Sequence, residues 1–286
     1  MKLALYDFFI APFQYGFMQQ ALWVGIVVAI TCALLSCFMV LKGWALMSDA
    51  VSHAFLPGVV FASYFQLPLI VGAFFAGILC VFTTRWLEKS TPLKSDTVLG
   101  IVFSSMFALG VLLYTKIESE QHLMHILFGN LLGIEALQRY QVYGLACVVS
   151  VVLMVKRRDL MLVVFDATHA KVAGLSVRGL HGLLLILLAF TAIVALQAVG
   201  AVLVISMLIA PGVGAQLVCR QFDYLLLVAV VSSVTATIIG ILLSFHANAS
   251  ISACIVLMQS LTFLLLFIYR KTYQYYHQLF WRKERK

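Results

Sequence analysis

The chain has 286 residues, of which 63% are hydrophobic and 10% are charged, and its mean hydropathy is +1.06. A composition this apolar excludes a water-soluble globular protein and leaves no room for a large soluble domain. The net charge of +8 does not require nucleic-acid binding, because membrane topology and contact with anionic lipids account for the basic residues.

The first segment, residues 1–18, is rich in aromatic residues and lacks the sustained apolar run and cleavage site of a signal peptide. We expect it to lie at the membrane surface. The rest of the chain consists of continuous Leu-, Val- and Ala-rich runs without strand-like alternation, which argues against a β-barrel. The predicted fold class is an all-α integral membrane protein with a single transmembrane domain over residues 1–286.

Nine apolar runs are long enough to cross the membrane as helices, which takes about 20 residues each. The predicted spans cover residues 19–42, 45–64, 67–87, 97–114, 139–155, 180–198, 200–219, 222–244 and 250–269. The breaks at Gln66-Leu67-Pro68 and Ala198-Val199-Gly200 are short. The spans on either side of these breaks are therefore the hardest to separate from sequence.

The basic residues indicate an orientation, because Lys and Arg accumulate in cytoplasmic loops. With nine spans and a cytoplasmic C-terminus, sixteen of the nineteen Lys and Arg residues fall inside. Only Lys2, Lys116 and Arg139 fall outside. We therefore predict an outside N-terminus and a basic cytoplasmic tail, residues 270–286, that lies along the membrane surface.

The second predicted span carries the clearest candidate site, since ionisable residues inside a span are costly and suggest function. Asp49 and His53 are four residues apart, which places both side chains on one helix face. A carboxylate with an imidazole suits manganese, iron(II) or zinc better than an alkali ion. Pro57 would free the His53 carbonyl as a further ligand, and Gly58 allows close backbone approach. The alternative is that the two side chains bond to each other or to a neighbouring helix and stiffen the bundle.

For other polar features of the sequence, a structural explanation is at least as good as a functional one. Pro211 in the seventh span would free the Met207 carbonyl, but a packing kink explains it equally well. His246 and Asn248, in a short outer loop, suit either a vestibule or a solvated turn. A second outer loop gathers four residues that suit either metal attraction or an ordinary surface: Glu118, Glu120, His122 and His125.

The six cysteines show no CxxC pair or metal-ligand spacing, so we interpret them as small core residues. The chain has no GxxxxGK[ST], HExxH or GxSxG motif. It is therefore predicted not to be an enzyme, and ATP hydrolysis would need a separate subunit. Residues 156–179 form a cytoplasmic segment with Asp166 as a helix cap and Gly174 as a helix stop, which suits docking of a cytoplasmic partner.

These motifs resemble the permease subunits of bacterial ABC importers for manganese, iron and zinc. The resemblance covers nearly the whole chain and depends on the order and spacing of the motifs. They are Ser48-Asp49-Ala50, Ser52-His53-Ala54, Leu56-Pro57-Gly58, Lys94-Ser95-Asp96-Thr97, Gly100-Ile101-Val102-Phe103-Ser104-Ser105, Leu127-Phe128-Gly129-Asn130, Phe165-Asp166, Ala170, Gly174, Val199-Gly200-Ala201 and Pro211.

The resemblance implies a permease of the bacterial cytoplasmic (inner) membrane that forms a homodimer. Its implied partners are two cytoplasmic ATPase subunits and an extracytoplasmic metal-binding receptor. It also implies that Asp49 and His53 are the metal site of the pathway and that Phe165 to Gly174 is the coupling helix. The metal is cargo, so no permanently bound cofactor is expected. The stretch HLMHILFGN, residues 122–130, favours manganese or iron, with zinc as a third candidate.

The chain departs from the family pattern before the last span, where the family usually has an aspartate and a Pro-Ser/Thr-Gly turn. Asn248 and Ser250-Ile251-Ser252 stand there instead, so no role for a carboxylate is carried over. Two other functions fit the same residues. One is an ATP-independent secondary transporter or channel that uses Asp49 and His53 as a proton-linked site. The other is a permease of the same architecture for an organic metal chelate or a vitamin.

Overall fold

The structure, a computed structural model, describes residues 11–44, 54–93, 95–116, 131, 133–134 and 136–284. These ranges contain helices and no strand, and a short 3-10 turn, Ala11–Gln14, precedes the first helix. The helices are α1 Gly16–Lys42, α2 Leu56–Tyr64, α3 Leu69–Ser90, α4 Ser95–Lys116, α5 Ala136–Val155, α6 Arg157–Phe165, α7 Ala167–Val172, α8 Val177–Val199, α9 Ala201–Val218, α10 Phe222–Ala247 and α11 Ile251–Glu284.

Six segments of the described chain are long and apolar enough to cross a membrane. They are Gly16–Lys42, Val71–Glu88, Thr97–Lys116, Ala136–Val155, Phe222–Ala247 and Ile251–Tyr275. Two shorter apolar stretches lie in α8 and α9, over Val177–Ile193 and Leu203–Val218. The all-α membrane class is confirmed, whereas the count of nine spans and the orientation of the termini stay predictions.

The second predicted span, residues 45–64, is interrupted within its described part. Ala54 is helical, Phe55 forms a turn, and α2 begins at Leu56 with Pro57 in its first turn. Proline suits this position because its missing N–H has no helical partner there. The nine residues of α2 cover only about 14 Å, less than half of a hydrocarbon core.

Both short breaks separate distinct helices, as predicted. Gln66, with a φ of 54°, and Pro68 lie between α2 and α3. Gly200, with a φ of 80°, lies between α8 and α9, where its lack of a Cβ permits the left-handed backbone. A glycine and a proline are thus sufficient to divide continuous apolar sequence into separate helices.

The basic tail differs from its expected form. The 34-residue helix α11 continues through residues 270–284, where a separate surface segment was expected. Its length of about 51 Å exceeds the roughly 30 Å hydrocarbon core, so its basic end extends beyond the membrane. The tail contains no Gly or Pro to end the helix.

The helix α1 lies at the centre of the larger of two helix groups, the α1 group, which comprises α1, α5 and α8 to α11. It packs against α5, α8, α9 and α10, and Leu35, Phe38 and Met39 are fully buried in these contacts. A hydrogen bond of 3.1 Å joins Thr31 Oγ1 in α1 to Ser150 Oγ in α5. Apolar packing and a buried polar contact therefore both hold α1 in place.

The helices α9, α10 and α11 complete the α1 group and pack against one another. Gln259 of α11 is 2% exposed, and its Nε2 donates to Ser233 Oγ of α10 at 3.1 Å. Ser252 Oγ donates to the Val199 carbonyl at 3.0 Å, which ties the start of α11 to the end of α8. Hydrogen bonds from polar side chains thus link both consecutive helices and helices that are separated in sequence.

Candidate metal site

Asp49 and His53, the predicted metal ligands, lie outside the described residues. The polar residues of the outer loop, Glu118, Glu120, His122 and His125, and the motif Leu127-Phe128-Gly129-Asn130 lie outside them as well. The structure does describe the chain on both sides of the candidate ligands, up to Trp44 and again from Ala54. These flanking residues show what anchors the segment.

The downstream anchor is a group of three helices, α2, α3 and α4, which we call the α2 group. Ala54 and Phe55, next to His53 in sequence, are fully buried. The ring of Phe55 packs over Gly77 of α3, where a Cβ would come within 2.5 Å of the ring. The chain immediately after His53 is therefore held by apolar packing.

Two glycines bring α2 and α3 into backbone contact. A Cβ added to Gly58 would collide with the Gly72 carbonyl, and a Cβ added to Gly72 would collide with the Gly58 carbonyl. Ala76 and Ala62, one turn further along each helix, border the same contact. Pairs of small residues four apart are typical of close helix packing in membranes.

The opposite side of α2 rests on α4. A Cβ at Gly110 of α4 would lie 2.9 Å from Leu56 and from Pro57 Cδ. The first turn of α2, including Pro57, is thus enclosed between two helices. Gly58 was expected to allow close backbone approach, whereas Gly72 and Gly110 were not predicted from the sequence. The spacing of small residues on α3 would have suggested Gly72 but not Gly110.

The upstream anchor is the end of α1. Gly43 adopts a left-handed φ of 74°, its N–H donates to the Val40 carbonyl, and the Trp44 N–H donates to the Met39 carbonyl at 2.8 Å. This arrangement ends a helix firmly and suits glycine. Residues 45–53 therefore connect α1 to the α2 group across two well-packed ends.

Within the described part of the chain, no group of three or more His, Cys, Asp and Glu side chains could hold a metal ion. The cysteines do not contribute one. Cys32, Cys37, Cys80 and Cys254 are buried as expected, Cys219 is half-buried, and Cys147 is exposed on α5. The core interpretation is wrong for Cys147, which faces outward because it follows the buried Ala146 on the helix.

The turn of α9 that contains Pro211 packs against α1. Pro211 lies inside α9, and the fully buried Ser36 of α1 contacts the same turn. The Gly212 N–H donates to Ser36 Oγ at 3.0 Å, and Ser36 Oγ is 3.4 Å from the Ile209 carbonyl oxygen. A Cβ on Gly212 would clash with the Ser36 hydroxyl and backbone. These contacts favour the structural interpretation of the Pro211 region.

Asn248 caps a helix. It follows α10 with a left-handed φ of 49°, which asparagine tolerates better than most residues, and its backbone N–H donates to the Ser244 carbonyl. Ser244 Oγ also donates to the Ala249 carbonyl at 2.6 Å. His246 is exposed in the last turn of α10, and its ring packs 5.4 Å from that of Phe245. The geometry favours a solvated turn over a cation site.

The cytoplasmic segment predicted over residues 156–179 contains two short helices, α6 and α7. Asp166 caps α7, and its carboxylate accepts the Thr168 and His169 N–H groups at 2.8 and 2.9 Å. These bonds, led by that from His169, hold the pKa of Asp166 below its ordinary value of 3.8. Gly174, with a φ of 79°, follows the end of α7, so both the predicted cap and the predicted stop are confirmed.

The comparisons with known proteins cover almost the whole chain. The chain is 49% identical over 265 residues to "Chelated iron transport system membrane protein YfeD" of Yersinia pestis, a match that spans 93% of this chain and 89% of that protein. It is 42% identical over 274 residues to "Manganese transport system membrane protein MntB" of Synechocystis, spanning 96% and 89%.

A solved structure agrees with these relatives. "PsaBC from Streptococcus pneumoniae in complex with Fab" matches with a TM-score of 0.84 and 32% identity, over 92% of this chain and 95% of that chain. The family model described as "ABC 3 transport family" matches residues 14–270. The chain therefore belongs to the ABC 3 transport family.

Proposed function

We propose that this chain is the membrane permease of an ATP-binding-cassette importer for manganese or iron(II), with zinc as a third candidate. The observation that carries the proposal is the similarity to both an iron-named and a manganese-named relative over more than nine-tenths of the chain. Both names refer to first-row transition metals, for which mixed oxygen and nitrogen ligands are suited.

We assign Asp49 and His53 as the ligands of the pathway. Their four-residue spacing allows one ion to contact both side chains on a helix face. Two side chains do not satisfy a divalent ion, so a second copy of the chain would supply the remaining ligands in a homodimer. The support for this location is the firm anchoring of the chain at Trp44 and at Ala54 on either side.

The partner that hydrolyses ATP would dock on α6 and α7. Phe165 and Val172, at the ends of these helices, are 64% and 83% exposed. Exposed apolar side chains on a polar segment between membrane helices are typical of an interaction site. A separate ATPase subunit fits the lack of a phosphate-binding loop in this chain.

The remaining parts of the proposal concern topology and delivery. We place nine spans across the bacterial inner membrane, with the N-terminus outside and the C-terminus in the cytoplasm, as the distribution of Lys and Arg indicates. An extracytoplasmic receptor would deliver the ion to the outer end of the dimer. ATP binding and hydrolysis would then alternate access to the site.

The function is tested by metal accumulation in cells that lack their own manganese and iron importers. The cells express this chain with its candidate ATPase and receptor, and manganese, iron and zinc are measured by mass spectrometry. We expect accumulation of manganese or iron that disappears when the ATPase is inactivated. Equal accumulation with an inactive ATPase would contradict the proposal and support a secondary transporter or channel.

A chelated ion is the second candidate cargo, because the relative from Yersinia pestis is named for chelated iron. The same cells distinguish the two forms of cargo when iron is supplied either as the free ion or with a chelator added in excess. Uptake that falls as the free ion is depleted supports a bare ion. Uptake that follows the chelate concentration supports the chelate.

A further inference from the structure

An apolar groove of about 420 Å³ lies between α3 and α8. Its walls include Ile78 and Phe82 of α3 and Ile186 of α8, which are 39%, 68% and 45% exposed. Gly182 lines the groove too, and a Cβ there would meet nothing within 4 Å. The groove is therefore open on the outer surface of the chain and has room for a ligand at Gly182.

One end of the groove is basic. Arg85 lines it, and the Arg85 Cζ lies 5.9 Å from the centre of the Trp44 ring. Lys42 Nζ lies 6.0 Å from the same ring, and the His181 ring lies 5.7 Å from it. A single indole therefore gathers two cations and an imidazole beside the groove.

Within the described residues, no carboxylate forms an ion pair with Lys42 or Arg85. Glu88, three residues after Arg85 on α3, forms no such pair either. The His181 Nε2 is buried and has no hydrogen-bond partner in this part of the chain. Among the residues that the structure describes, two cations and a potential hydrogen-bond donor thus lack an anionic partner at the end of an apolar groove.

We propose that this groove binds one anionic phospholipid. Its phosphate would contact Lys42 and Arg85, His181 Nε2 would donate to a phosphate oxygen, and an acyl chain would lie along Phe82 and over Gly182. Basic pockets between transmembrane helices are known to bind lipid headgroups, and Trp is typical of the membrane interface. A second copy of this chain is a poorer occupant, because a contact centred on the two-fold axis would bring the same cations together.

The proposed site also lies at the joint between the two helix groups, since α3 belongs to the α2 group and α8 to the α1 group. Phe74 of α3 stacks on Phe190 of α8 with ring centres 4.9 Å apart, which holds the joint directly. A lipid between the same two helices would add a second contact. Its release would loosen the joint without breaking the aromatic stack.

The test is lipid retention by the purified full chain with its ATPase partner, measured by native mass spectrometry. The probes are phosphatidylglycerol and phosphatidylcholine of equal acyl length. We expect the wild-type protein to retain phosphatidylglycerol preferentially. In the double variant Lys42→Gln/Arg85→Gln, retention of phosphatidylglycerol should fall about fivefold per cation removed. The matched control is the pair Arg220→Gln/Arg270→Gln, one residue between α9 and α10 and one in α11, neither of which lines the groove.

A second variant tests the groove without changing charge. Gly182→Leu should fill the open space and lower retention of both lipids, whereas Gly144→Leu, at another helical glycine with nothing within 4 Å, should not. Equal retention of both lipids by the wild type, or unchanged phosphatidylglycerol retention in either groove variant, would overturn the proposal. If Gly182→Leu produces monomers that retain lipid fully, the groove is instead part of the interface between two copies of the chain.

Discussion

The α1 group and the α2 group are held together by different contacts. In the α1 group, polar side chains join neighbouring helices, as Ser36 does with Gly212 and Gln259 does with Ser233. In the α2 group, Gly58 and Gly72 bring two backbones into contact. Directional bonds therefore add to apolar packing in the α1 group, whereas the contact between α2 and α3 depends on close packing of two backbones, which is disrupted more abruptly when a side chain is added.

The candidate metal segment lies between these two groups. It starts after Trp44, at the end of α1, and ends before Ala54, at the start of the α2 group. Among the described residues, α3 and α8 make the principal contact between the groups. A shift of one group relative to the other would therefore act on residues 45–53, the segment that contains the proposed ligands Asp49 and His53.

The largest effect on stability is expected where backbones touch. Gly58→Val should lower the free energy of unfolding by about 3 kcal/mol, because the added side chain meets the rigid Gly72 carbonyl. Denaturation of the purified chain in detergent measures this. Gly100→Val, at a glycine of α4 with open space around it, should cost less than about 1 kcal/mol. Equal stability of the two variants would show that the α2 group is loosely packed.

The next effect tests the α1 group. Ser36→Ala removes the acceptor for the buried Gly212 N–H and should cost about 1–3 kcal/mol in the same measurement. Ser105→Ala is the control, because that exposed hydroxyl bonds only to a carbonyl of its own helix and should change stability by less than about 0.5 kcal/mol. If Ser36→Ala leaves the free energy of unfolding unchanged, the hydrogen bond from α1 does not stabilise the helical turn at Pro211.

A smaller cost is expected at the contact between α10 and α11. Ser233→Ala removes the acceptor of the Gln259 amide, and hydrogen bonds between membrane helices average about 0.6 kcal/mol with a maximum near 1.7. Unfolding of Ser233→Ala, Gln259→Leu and the double variant gives the coupling energy directly. A coupling energy of zero would contradict the view that directional bonds add to apolar packing in the α1 group.

The smallest expected effect is a local pH dependence outside both groups. Because the pKa of Asp166 is lowered in the folded protein, the cap is fully effective above its ordinary value of 3.8 and is lost as the pH falls through the lower folded value. The rate of amide hydrogen exchange at Thr168 and His169 is compared with the rate in the Asp166→Asn variant at each pH. The ratio of the wild-type rate to the variant rate should rise only below about pH 4. A change in this rate ratio near pH 6 would show that a group other than Asp166 controls the exchange.

The helices and the breaks between them followed from local sequence. Apolar runs marked the long helices, Pro68 and Gly200 marked two of the divisions, and Asp166 and Gly174 marked a short helix, because each acts on its own backbone neighbourhood. The end of α11 did not follow. Hydropathy shows where a span leaves the membrane, whereas a helix continues until a residue stops it.

The contacts between helices could not be predicted in the same way. Ser36 and Gly212 are 176 residues apart, and neither has a local pattern that names the other. Gly58 was singled out for close approach, but its partner Gly72 depends on how two helices cross. Asp49 and His53 stand on spacing and family resemblance alone, since the structure describes the chain only on either side of them.

The most direct test of the account is metal uptake by Asp49→Ala and His53→Ala variants in cells that express the chain with its ATPase and receptor. Asp223→Ala, which removes an exposed carboxylate in the first turn of α10, is the control. Membrane levels and ATPase association are confirmed for each variant. The account predicts that both site variants lose ATPase-dependent manganese or iron uptake while the control keeps it. Normal uptake by both variants would contradict it and make Asp49 and His53 structural residues.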